Sequence, residues 1–225
     1  MEKKKIRKIA KLPSIQRMPQ YLHVARKLLD EGNSVVSTTL LAKELGVEPI
    51  VARKDLELTN LVGQSGIGYQ LKDLILAVET FLGWNNATDA FLVGVGAMGS
   101  ALLKFNGFQQ HGINILAGFD ISHNVLGLDI NGRKVFHIDS LPNLARRMKI
   151  NIGILCVPEE NAQKVADMMI RGGIRAIWNF TPAKLIVPDE VVVQREILAS
   201  GLAVLSVKLS KMFAEEREKL TNESE

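Results

Sequence analysis

Over the first eighty residues the apolar positions recur at helical spacing, broken by glycines. Ser14 stands where an N-cap would open a helix over Ile15–Leu29, and Gly32 stands where it would stop. A second, short helix is predicted from Ser37 to Gly46, with Leu40, Leu41 and Leu45 on one side. The turn Gly46-Val-Glu-Pro49 leads into a third helix, from Ile50 to about Asn60. Two short helices joined by such a turn draw a helix-turn-helix. The segment Leu61–Leu71 follows, with glycines at 63, 66 and 68 and alternating Ile67, Tyr69 and Leu71, and it predicts a β-hairpin wing. Lys72–Leu82 is again amphipathic, and Gly83–Thr88 reads as a linker.

From Ala90 onward the pattern changes. Short, mostly apolar runs at Ala90–Val95, Asn114–Phe119, Lys134–Ile138, Asn151–Val157 and Ile174–Phe180 suit strands buried on both faces. Helical patterns at Met98–Phe105, Leu141–Met148 and Asn161–Arg171 separate several of them. Such an order gives βαβ crossovers and a doubly wound Rossmann sheet, to which Val191–Gln194 adds a sixth strand. Leu202–Leu220 ends the chain as a helix with Leu205, Leu209, Met212 and Phe213 on one side. The predicted class is α/β: a winged helix-turn-helix over 1–84, a Rossmann domain over 85–200 and a C-terminal dimerisation helix over 201–225.

One motif in the second region carries chemistry. Gly94-Val95-Gly96-Ala97-Met98-Gly99 follows a predicted strand and opens a predicted helix. There the glycines allow a tight turn, a close approach of backbone to pyrophosphate, and close packing of helix on strand. The helix N-terminus adds N–H donors and a favourable dipole for phosphate. Asp120 ends the next strand, placed to accept hydrogen bonds from the adenine ribose. A carboxylate there repels a 2′-phosphate, and Ile121, Ser122 and His123 supply no arginine for one, so the expected cofactor is NAD(H). Val157-Pro158 and Asn179 lie at later strand ends, near the expected nicotinamide half. Cys156 reads as a buried, inert thiol, and His23, His111, His123 and His137 show no metal-ligand spacing.

Charge sharpens this division. Residues 1–27 hold nine Lys and Arg against Glu2 alone, whereas residues 85–225 are neutral overall. The basic N-terminal third therefore points to an anionic partner, nucleic acid ahead of membrane. No apolar run approaches the roughly 18 to 20 residues of a membrane span. Lys11, Pro13, Gln16 and Arg17 interrupt the position where a signal peptide would be apolar, so a cytoplasmic protein is expected. A single cysteine excludes an intrachain disulfide.

After the sixth strand only about 30 residues remain, and they read as one helix with no room for a substrate domain. That favours a sensor over the two other readings, an NAD-dependent oxidoreductase with an accessory N-terminal domain and a CoA-type nucleotide-binding module.

Several segments together resemble the bacterial redox-sensing transcriptional repressor family Rex. They are Arg17–Tyr21 in the first helix, Val51–Leu56 in the recognition helix, and Gly66–Tyr69 in the wing. Gly94–Gly99, Phe136–Asp139, Asn151–Ile154 with Val157-Pro158, and Asn179-Phe180 with Pro182 complete the set. The resemblance implies a homodimer with swapped C-terminal helices, bound to a palindromic operator DNA as the apo or NAD⁺ form and released by NADH. It implies genes of fermentation and respiration as targets. It also implies Arg17, Arg53, Lys54, Gln64 and Ser65 as DNA-binding residues, with Arg53 and Lys54 in the major groove, and no catalytic residue.

The chain departs from the family at three places. The wing, Gly63-Gln64-Ser65-Gly66, carries no Lys or Arg, for which the Lys-rich residues 3–11 would compensate along the DNA. Phe105 stands where the family commonly has a tyrosine. The family's acid before the last helix aligns with Glu196 or Ile197.

Overall fold

The computed structural model describes residues 12–85 and 88–222. The Lys-rich segment 3–11 and part of the expected 83–88 linker lie outside these residues. The chain forms two compact units, Met1–Ala87 with Gln110–Gly112, and Thr88–Gln109 with Ile113–Glu225.

In the first unit, α1 (Leu12–Asp30) buries Met18, Tyr21, Leu22 and Ala25, one stripe at helical spacing. Ser14 does not cap it. The helix is already under way at Leu12, and Ser14 is buried in its first turns. Ser37 does cap α2 (Thr38–Leu45), its hydroxyl accepting from Leu40 N–H, and Gly46 closes the helix with a left-handed φ of 65°. Pro49 opens α3 (Pro49–Leu56), where a missing N–H costs nothing. α3 is shorter than the pattern predicts, because a 3₁₀ turn over Glu57–Thr59 takes the chain to a left-handed Asn60.

The wing also differs from the expected hairpin. Gln64 and Gly68 make a single bridge, and β2 (Tyr69–Gln70) pairs instead with β1 (Val35–Val36), antiparallel, Val36 opposite Tyr69. Leu71 then begins α4 (Leu71–Leu82) and is fully buried, so the alternation is cut short by a helix start. A side chain at Gly68 would collide with the Val36 carbonyl, so the loop lies directly on β1.

The second unit is a seven-stranded sheet in the order β5-β6-β4-β3-β7-β8-β9. Its strands are β3 (Thr88–Val93), β4 (Ile113–Asp120), β5 (Asp129–Ile130), β6 (Arg133–His137), β7 (Ile152–Leu155), β8 (Ala176–Asn179) and β9 (Val192–Arg195). All neighbours are parallel except β5 and β6. β5 was not predicted. It forms a hairpin with β6 through Asn131-Gly132, both at positive φ (57° and 77°), as a two-residue primed turn requires. The helices are α5 (Ala97–Lys104), α6 (Leu141–Met148), α7 (Glu159–Arg171) and α8 (Leu198–Asn222).

Both sheet faces are covered. Phe91, Val93, Phe119 and Leu155 join one core, and Ala90, Leu92, Ile115 and Ile154 the other. Chain order reverses beside β3, with β4 on one side and β7 on the other, and there the carboxyl ends of the strands open a crevice. Among the described residues no helix is long and apolar enough to cross a membrane.

Candidate cofactor and nucleic-acid sites

On α3 the inward residues are Ala52, Asp55 and Leu56. A helix turns about 100° per residue, so Arg53 and Lys54 point away from this buried stripe. Both are exposed. Arg53 Nε lies 3.6 Å from Glu57 Oε1 on the same face, a solvated pair that holds neither side chain firmly. Gln64 and Ser65 are exposed on the wing.

Arg17 is differently placed. Its Nε donates to Asp55 Oδ2 at 2.6 Å and its Nη2 to Oδ1 at 2.8 Å, while Tyr21 Oη donates to Oδ2 at 3.0 Å. Ser14 adds a fourth hydrogen-bonding group. Burial alone would raise the Asp55 pKa, but the donors from Arg17, Ser14 and Tyr21 outweigh it and hold the carboxyl below its ordinary value. The hydrogen bond to Asp55 raises Arg17, while burial, and then Asp55, push the Tyr21 phenol up. A charged network thus fixes the underside of the helix whose outer face carries Arg53 and Lys54.

In the second unit β3 runs into Gly94, at φ 94°, and Gly96 caps α5. A Cβ built on Gly96 meets no atom within 4 Å, whereas one on Gly99 would collide with the Gly94 carbonyl. The first leaves room for a ligand, and the second presses helix on strand. Asp120 ends β4 with its carboxylate tied to backbone. Oδ2 accepts from Val95 N–H at 2.6 Å, and Oδ1 accepts from Ile121 and Ser122 N–H at 2.7 and 2.8 Å. An ionised carboxylate has about four acceptor positions, so Oδ2 retains one for a ribose hydroxyl.

These residues open on a cavity of about 990 Å³. Gly94, Val95, Gly96, Met98, Asp120, Val157 and Pro158 line it, whereas Ala97, Gly99 and Asn179 do not. Asn179 is fully buried, its Nδ2 donating to Ala183 O and its Oδ1 accepting from Thr181 N–H, so it holds the loop that brings Thr181 and Pro182 to the cavity. Ser122, His137, Asp139, Glu159, Lys164 and Phe180 also line the cavity, beyond the residues that the sequence pattern marks. For Glu159 and Lys164 the signal was absent, because the rotation of α7 against the sheet is set by packing. Cys156 lines the cavity with its thiol pushed up to about 12 by burial, a poor nucleophile. No group of three metal-ligating side chains occurs among the described residues.

The open backbone at Gly96, the N-terminus of α5 and the spare acceptor on Asp120 fit a dinucleotide, with its pyrophosphate at the helix and its adenine ribose at the acid. Asp120 also disfavours a phosphate on that ribose, whether the 2′-phosphate of NADP(H) or the 3′-phosphate of coenzyme A. Beyond the cavity an aromatic ladder runs outward from Phe180 through Trp178 and Phe108 to Phe105, with ring centres 4.7, 5.6 and 4.9 Å apart. Phe105 is half exposed, and Glu196 Oε1 accepts from the Trp178 indole at 2.9 Å. On α8, Leu202, Leu205, Leu209, Met212 and Phe213 are 44–64% exposed, an apolar surface that nothing described in the protomer covers.

Known proteins repeat this combination. Residues 8–57 match the family described as putative DNA-binding protein N-terminus, and residues 85–183 the CoA binding domain family. The redox-sensing transcriptional repressor Rex of Treponema denticola is 43% identical over 203 residues, covering 90% of this chain and 97% of that protein. Rex of Bacteroides fragilis is 39% identical over 88% of this chain and 90% of its own. Among solved structures, RSP, a Rex-family repressor, in complex with β-NAD⁺ and operator DNA superposes with a TM-score of 0.84 at 33% identity, covering 94% of this chain and 97% of its own. RSP in complex with β-NADH gives 0.83 at 32% identity, over 93% and 98%.

Proposed function

The chain belongs to the Rex family of redox-sensing transcriptional repressors, and on that premise we propose how its residues divide the work. The protein is a repressor and not an enzyme. It binds operator DNA as a homodimer, takes up NAD(H) in its Rossmann domain, and leaves the DNA when NADH occupies that domain. Residues 1–84 serve as the DNA-binding domain, 85–200 as the cofactor domain and 201–225 as the dimerisation helix. Arg53 and Lys54 enter the major groove, Gln64 and Ser65 hydrogen-bond from the wing, and Arg17 adds its charge beneath them while bracing Asp55. Gly94–Gly99, Asp120, Val157 and Pro158 contact the dinucleotide, and Asn179 shapes the loop beside it. The exposed stripe of α8 supports a helix exchanged between subunits. The protein works in the cytoplasm, where both its ligands are found.

The observation that carries this reading is the pairing of the Gly96 cradle, where a Cβ would meet no protein atom, with the backbone-locked Asp120 carboxylate. Mobility shifts on a palindromic operator test it. Retention of the complex in NAD⁺ with its loss in NADH is expected, and a complex indifferent to both dinucleotides overturns it.

A further inference from the structure

A redox sensor must tell two nearly identical ligands apart. NAD⁺ carries a positive charge on its nicotinamide ring and NADH carries none, while the adenosine and pyrophosphate are the same in both. A fixed charge near the ring therefore acts on one ligand and is silent on the other.

The strand order places such a charge. Along the carboxyl edge of the sheet come β4 with Asp120, β3 with the glycine loop, β7, and then β8 with Phe180 and Thr181. A dinucleotide anchored by its ribose at Asp120 and its pyrophosphate at Gly96 extends its nicotinamide half past β7. The loop after β7 delivers Glu159, the first residue of α7, to the cavity wall. Glu160 is the next residue of the same helical turn and does not line the cavity. No ion pair holds the Glu159 carboxylate among the described residues. An acid in the first turn also complements a helix dipole, but Glu160 does that equally well, so the dipole does not account for Glu159 facing the ligand.

We infer that Glu159 is a specificity-determining residue for the oxidised cofactor, its carboxylate favouring NAD⁺ over NADH. This rests on the NAD(H)-sensing reading above. Lys164, the other charged side chain that α7 brings to the cavity, stands about 140° around the helix from Glu159 and carries the opposite sign, so its effect on the two forms runs counter to that of Glu159. Unit charges within a Debye length in a half-open site are worth about a two- to fivefold change in affinity. Favouring NAD⁺ raises the NADH/NAD⁺ ratio needed for release from DNA, so Glu159 sets the threshold toward a more reduced cell.

Calorimetric titration of the full-length protein with NAD⁺ and with NADH tests this on wild type, Glu159→Gln and Glu160→Gln. Glu159→Gln is expected to weaken NAD⁺ about two- to fivefold while leaving NADH nearly unchanged, and Glu160→Gln to leave the ratio of the two affinities alone. Added salt should narrow the wild-type ratio toward that of Glu159→Gln. An unchanged ratio in Glu159→Gln, or an equal shift in Glu160→Gln, overturns the inference while leaving NAD(H) binding intact. If the wild type binds neither dinucleotide, the sensing reading fails and takes the inference with it.

Discussion

Arg17 on α1 and Asp55 on α3 form a two-pronged ion pair, 2.6 and 2.8 Å long, with the carboxylate 2% and the guanidinium 24% exposed. It ties the recognition helix to the first helix of its unit. Removing the acid leaves a partly buried guanidinium and a buried tyrosine hydroxyl without their acceptor. Asp55→Ala is expected to cost about 2 to 4 kcal/mol, with the exposure of Arg17 setting the lower bound. Denaturant unfolding of the full chain measures it.

Acid should loosen the same ion pair. The folded pKa of Asp55 lies below its ordinary 3.8, so the stabilisation is fully present above that value. It fades as the pH falls through the depressed folded value. Unfolding titrations should therefore show wild type losing more stability below about pH 4 than Asp55→Asn, which has no carboxylate to protonate.

Gly96 and Gly99 should respond in opposite ways to an added side chain. A Cβ at Gly96 meets nothing within 4 Å, so Gly96→Val should keep thermal stability within about 1 kcal/mol while NADH binding weakens at least about tenfold. Gly99→Ala drives a methyl into the Gly94 carbonyl and should destabilise the fold itself. Parallel melting curves and NADH titrations separate the two effects, and a Gly96→Val protein that binds NADH normally would remove the pyrophosphate from this loop.

On DNA, Arg53→Ala and Lys54→Ala should weaken operator binding and flatten its dependence on salt. The slope of log K against log salt should fall by about 0.9 for each phosphate that is no longer neutralised. If Arg53 reads a base instead, its variant also relaxes sequence preference by about 1 to 3 kcal/mol at one position. Titrations at several salt concentrations, on specific and scrambled duplexes, distinguish these outcomes.

Much of this arrangement was legible in the chain, for identifiable reasons. The glycine loop and Asp120 are separated by one helix and one strand, lengths that vary little, so spacing located them. Arg53 and Lys54 are marked by the family resemblance of Val51–Leu56 and not by their charge, since the neighbouring charge Asp55 on the same helix faces in. Asp55 is not legible as an inward residue, because a charge on the buried stripe breaks the apolar pattern, and its partners lie 34 and 38 residues away. β1 has two residues and no periodicity to detect. The β5–β6 turn is written plainly as Asn131-Gly132, but β5 before it has only two residues and no alternation to mark a strand. Glu159 and Lys164 depend on how α7 rolls against the sheet, which no local pattern encodes.

On the proposal that the uncovered stripe on α8 is the seam between protomers, repression is a matter of abundance as well as redox state. A protomer alone leaves Leu202, Leu205 and Phe213 exposed, and association through α8 would cover them. Dimer formation follows mass action. In dilute protein the operator-competent species therefore falls with the square of the number of chains present. Halving the copy number in that regime removes about three quarters of the active repressor, whatever the nicotinamide pool reports.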